Sequence, residues 1–137
     1  MELKMSAIIT NEKLSGVWDL KIFEITDQAG VTRPWGKNTK GKIIYTRSGY
    51  VSCAFNSDPE IDSPSFEDLY DCLLFYVGTY TIPAQGKIIH HVCNASDQNR
   101  IGKDLHREIS VEGDLLTICS AGEFGKSRVV WNQIVKD

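Results

Sequence analysis

Gly16-Val17-Trp18-Asp19-Leu20-Lys21-Ile22-Phe23-Glu24-Ile25-Thr26 alternates apolar and polar residues, as a strand with one buried face does. Trp18, Leu20 and Ile22 fall on one face, against Asp19 and Lys21 on the other. The phase then reverses, and Phe23 and Ile25 become the apolar positions with Glu24 the polar one. Neighbouring strand side chains point to opposite faces, so this reversal predicts a bulge or strong bend near residues 22 to 24. A long strand that bends in this way suits a barrel.

The pattern continues outward from this strand. Gly41 to Thr46 and Gly49 to Phe55 are predicted strands joined at Arg47-Ser48-Gly49, a hairpin signal. Arg33-Pro34-Trp35-Gly36 reads as irregular chain or a short edge strand ended by Pro. Asn56 to Asp71 differs from its surroundings, with Pro59, Pro64, six acids and no base. Its second half, Phe66-x-x-Leu69-Tyr70-x-x-Leu73-Leu74, has helical spacing, with Ser65 as N-cap and Glu67 and Asp68 in the first turn. This is the one helix expected. Phe75 to Ile82 and Lys87 to Ala95 form a further hairpin. Leu105 to Val111 and Leu115 to Ser120 pair across Glu112-Gly113-Asp114, and Ser127 to Val135 is the last strand. The expected fold is all-β, an antiparallel barrel of eight or so strands with one short helix.

The totals narrow the class. A chain of 137 residues, 42% hydrophobic and 24% charged, reads as a single globular domain over 1–137, with 1–13 an N-terminal extension. A net charge of −3 argues against nucleic acid or an anionic membrane surface as partner. No apolar run reaches the length of a membrane span. Cys53, Cys72, Cys93 and Cys119 are scattered, which suits neither a zinc site nor a signal-led disulfide framework. The expected location is the cytoplasm, as a monomer or homodimer, with no cofactor and no metal.

Several segments in order resemble the lipocalin-like domains found mainly in bacteria. They are Leu14-Ser15-Gly16-Val17-Trp18-Asp19-Leu20, then Gly41-Lys42-Ile43-Ile44-Tyr45-Thr46-x-x-Gly49-Tyr50, Tyr76-Val77-Gly78-Thr79-Tyr80, Ile88-Ile89-His90-His91-Val92, and Arg107 ahead of Glu112-Gly113-Asp114-Leu115-Leu116. The resemblance covers residues 14 to 135 and implies a closed β-barrel with an internal cavity. It implies no reaction, because such barrels carry both binders and enzymes. The acidic, Pro-containing stretch before the helix departs from the family's pattern.

Chemistry can enter where polar residues face inward. In Leu105-His106-Arg107-Glu108-Ile109-Ser110-Val111 the period puts Arg107 with the apolar residues and His106 outside. Arg107 then either serves the structure or anchors a ligand anion or carbonyl, since a guanidinium is rarely buried unpaired. Adjacent strand histidines face apart and cannot chelate one ion together. His90, between Ile88 and Val92, is expected inside, either satisfied by a structural hydrogen bond or acting as ligand anchor or general acid/base. Tyr76 and Tyr80 share a face across Gly78, which leaves room for a ligand or a facing ring. Tyr45 and Tyr50 flank a turn and are expected to line one end of the barrel.

Together Tyr45, Tyr50, Tyr76, Tyr80, His90, Arg107 and Trp131 form the candidate ligand site, an apolar pocket with a few polar groups. The expected function is to hold a small apolar or amphipathic molecule. One alternative is a cofactor-independent isomerase, cyclase or hydrolase with His90 as the candidate catalytic residue. Another is a filled barrel serving as a structural or interaction module.

Overall fold

A computed structural model describes residues 8–137; residues 1–7, part of the expected N-terminal extension, lie outside the described residues. The strands are β1 (Gly16–Thr26), β2 (Thr32–Pro34), β3 (Lys37–Tyr45), β4 (Tyr50–Asp58), β5 (Leu73–Ala84), β6 (Lys87–Ala95), β7 (Asp104–Glu112), β8 (Leu115–Gly122) and β9 (Gly125–Lys136). All pairings are antiparallel. They run β1-β3-β4-β5-β6-β7-β8-β9 and return from β9 to β1. Eight strands therefore close a barrel, as expected from the alternation, and closure removes their exposed edges. The short strand β2 lies outside this circuit. It pairs with the last residues of β1, Glu24 to Thr26, and ends at Pro34, whose ring cannot donate to the ladder.

The phase reversal in β1 is a bulge. Leu20 pairs with Trp131 and Ile22 with Val130, so Lys21 is an extra residue. Directly paired residues share a face, and Leu20 and Trp131 face inward. Beyond Lys21 the inward set becomes Phe23, paired with Val129, and Ile25, paired with Ser127. The bulge lies just before the predicted segment, so Ile22 joins the outward set instead of the face of Trp18 and Leu20.

One end of the barrel is filled. Leu14, Trp18, Tyr45, Ile88, Val111 and Leu116 are fully buried there. A four-residue helix, α1 (Asn11–Leu14), closes this end, with the Thr10 hydroxyl accepting from the Lys13 N–H. The Trp18 indole N–H donates to the Leu14 carbonyl at 2.9 Å. Gln85, in the β5–β6 turn, clamps the buried Ile9 through both its backbone groups: the Ile9 N–H donates to Oε1 at 2.8 Å and Nε2 donates to the carbonyl at 3.0 Å. Residues 9–14 are thus a plug. The expectation of a single helix missed α1, because four residues carry no apolar period.

At the other end, α2 (Phe66–Tyr70) follows the predicted cap. The Ser65 hydroxyl accepts from the Asp68 N–H while the Asp68 carboxylate accepts from the Ser65 N–H, a reciprocal capping box. The helix stops at Tyr70, short of the predicted run, because Leu73 already belongs to β5. Its apolar side faces solvent, with Phe66 93% exposed.

Candidate functional site

His90 sits on β6 with its side chain inside the barrel, 1% exposed. Its Nε2 lies 2.7 Å from the Tyr45 hydroxyl and its Nδ1 lies 2.7 Å from the Tyr76 hydroxyl. The buried Cys53, paired with Tyr76 across the β4–β5 ladder, lies beside it. A neutral imidazole donates through one ring nitrogen and accepts at the other, so one tyrosine hydroxyl donates to His90 and the other accepts from it. Burial drives His90 down to about 3, aided by the charges of Arg107 and His91, so the imidazole is neutral. Burial also pushes the Cys53 thiol up to about 12 and holds both tyrosines well above their ordinary value. The network is uncharged and internally paired, as buried polar groups must be to avoid a desolvation penalty.

His91 faces the other way. On the outer surface its Nε2 meets the Thr81 hydroxyl at 3.0 Å and its Nδ1 meets Asp104 at 2.8 Å. The two histidines part as strand geometry requires. Among the described residues no three His, Cys, Asp or Glu side chains gather where they could hold a metal ion.

Beyond Tyr76 the barrel is hollow. A cavity of about 340 Å³ opens toward the end away from the plug. It lies at the small end of the range for small-molecule sites. Phe23, Ile25, Trp35, Ile43, Phe55, Leu74, Ile118, Phe124, Val129 and Trp131 supply its apolar wall. The aromatic members interlock: Trp35 stacks on Phe23 at 4.9 Å, and Phe55 lies 4.8 Å from Phe23 and 5.2 Å from Trp131. Trp35 is brought over the mouth by the end of β2, where its N–H donates to the Phe23 carbonyl at 2.8 Å. The polar lining residues are Tyr76, Cys53, Ser120, Ser127, Arg100 and Arg107. Ser120 and Ser127 hydrogen-bond each other across the β8–β9 ladder.

Arg107 reaches the cavity because it pairs with Ile88 on the inward face, as its period predicts. The β7–β8 ladder stops at Glu108↔Cys119, although β7 begins at Asp104. A gap therefore separates the first residues of β7 from the end of β8, and Arg107 borders both the cavity and an outer groove at this point. Burial pushes its guanidinium below its ordinary value, but arginine remains charged. Arg100 comes from a single 3-10 turn, Gln98–Arg100, after β6, and lines the rim of the same cavity. Nothing in the sequence marked it, since a loop residue belongs to no period.

The candidate residues separate into three places. Tyr76, Arg107 and Trp131 line the cavity. Tyr45, Tyr80 and His90 are packed into the filled half and do not reach it. There the Tyr80 hydroxyl donates to the Thr46 carbonyl at 2.7 Å, and its ring meets Tyr45 edge-on at 5.0 Å. Tyr50 is 55% exposed. It does not line an end of the barrel as expected, because its neighbour Val51 takes the inward position. Gly78 also has a different role. A Cβ there would lie 1.9 Å from the His91 carbonyl oxygen, so glycine admits the bulged β6 backbone at Cys93 instead of making room for a ligand.

No curated protein matches the sequence. A family model described as a lipocalin-like domain matches residues 15–135, which span the barrel from the start of β1 into β9. With the closed eight-stranded barrel and its one-ended cavity, that match establishes that the chain belongs to the lipocalin-like domain family.

Proposed function

We propose that this protein binds a small, mainly apolar molecule in the open half of its barrel. The observation that carries the proposal is the cavity of about 340 Å³ with its interlocked aromatic wall. A filled structural module would have no use for such a space. General acid/base catalysis by His90 is disfavoured by the same geometry. Both its ring nitrogens are engaged at 2.7 Å by tyrosine hydroxyls, and it stands behind Tyr76 rather than on the cavity wall. Free thiols at all four cysteines suit a reducing compartment, which supports a cytoplasmic location.

Fluorescence titration with N-phenyl-1-naphthylamine, a neutral apolar dye, tests this reading. The wild type is expected to bind it, and Ile118→Trp, which fills the cavity from β8, is expected to keep the fold by circular dichroism and lose the dye. Absence of dye binding, or undiminished binding by the folded filled variant, would contradict the proposal.

A further inference from the structure

We propose that the cavity's ligand carries a carboxylate, held by Arg100 and Arg107, with its apolar body against the aromatic wall. This rests on the small-molecule-binding reading above and specifies the head group.

The polar groups left unengaged in the cavity are donors. Its lining includes two guanidinium groups and no Asp or Glu. Among the described residues neither arginine forms an ion pair. Arg107 uses one of its five N–H groups, donating to the His106 carbonyl at 3.0 Å. Trp131 also has an unengaged donor. It is 1% exposed, it lines the cavity, and its indole Nε1–H is buried with no hydrogen-bond partner. A buried N–H without a partner is costly and calls for an acceptor.

The acceptors on the wall are already engaged. The Tyr76 hydroxyl is held by His90 Nδ1, and the Ser120 and Ser127 hydroxyls hold each other. A ligand group that completes this site must accept hydrogen bonds and carry negative charge. A planar carboxylate matches the arginine fork and costs less to desolvate than a dianion. It would also offset the mutual repulsion of the two cations, a repulsion that adds to burial in lowering Arg107. The β7–β8 gap places Arg107 beside an opening, where a charged head can meet it without crossing the apolar wall.

The test uses matched probes: 4-phenylbutyrate, its neutral amide, and 4-phenylbutyl phosphate, titrated by calorimetry at neutral pH. Wild type is expected to bind the acid at least about tenfold more tightly than the amide. Arg100→Gln and Arg107→Gln should each remove most of that preference while leaving amide binding nearly unchanged. If Arg107→Gln does not fold, Arg107→Lys, which loses the fork, and Arg100→Gln give the same reading.

Equal affinity for acid and amide overturns the inference, as does tighter binding of the phosphate or acid binding that survives both arginine substitutions. If N-phenyl-1-naphthylamine binds and none of the three probes does, the head-group assignment fails while the cavity reading stands. If the dye fails too, both fall.

Discussion

Acidification should destabilise this protein through His90 before its carboxylates protonate. The imidazole titrates near 6.5 in an unfolded chain and about 3 in the native barrel, where burial and two tyrosine hydroxyls keep it neutral. Between those values the unfolded state binds a proton that the native state refuses. Stability therefore falls as pH drops below 6.5, by about 1.4 kcal/mol per unit, and levels off near the native value. From neutrality to about pH 5 the loss amounts to about 2 kcal/mol, or a urea midpoint lower by about 1 M for a protein of this size. Asp68 and Glu108 have native values depressed by hydrogen bonds from Ser65 and Lys87. Their contributions are lost only at lower pH, as it falls through the carboxylate range, so the window above about pH 5 isolates histidine. The assay is urea unfolding of wild type and His90→Gln across this window. The variant is expected to start less stable, with Tyr45 and Tyr76 imperfectly paired, and to depend less on pH. Parallel pH dependence in the two proteins would refute the assignment of a buried neutral His90.

Two further outcomes concern packing. Leu14→Ala should cost about 2–5 kcal/mol in urea unfolding, because this fully buried side chain plugs the filled end, and it should leave the affinity for N-phenyl-1-naphthylamine unchanged. Gly78→Ala should cost about 1–3 kcal/mol or more in thermal unfolding, because its methyl group meets the His91 carbonyl backbone, which cannot swing aside as a side chain could.

The barrel was legible because its strands obey a period of two. Gly16 to Thr26 matched β1 at both ends, and the inward positions of His90 and Arg107 followed from their neighbours Ile88, Val92, Leu105 and Ile109. The same rule applied to Val51, Cys53 and Phe55 would have put Tyr50 outside; its nearness to a turn obscured that reading. Which half of the barrel is hollow was not legible. That depends on how Leu14, Trp18, Tyr45 and Tyr80 sum in volume, and on a four-residue plug with no periodicity. Arg100 was missed because a 3-10 turn after β6 carries it to the cavity, and turn residues have no face until the chain is folded. The unpartnered N–H of Trp131 is a property of surroundings contributed by other strands, and no local pattern encodes it.

The extra residue at Lys21 also gives the cavity wall a parity. Everything in β1 after that point is counted one place out of step with what precedes it. Deleting Lys21 would remove the bulge and leave Phe23 and Ile25 facing inward, whereas a one-place slip that pairs Lys21 with Val130 would turn Ile22, Glu24 and Thr26 inward and send Phe23 and Ile25 to solvent. The stacked aromatic side of the cavity would become a carboxylate and a hydroxyl facing Arg107 across the barrel. A one-place register slip beyond Leu20 would thus change the sign of what the cavity accepts, while the filled half kept its own reading frame.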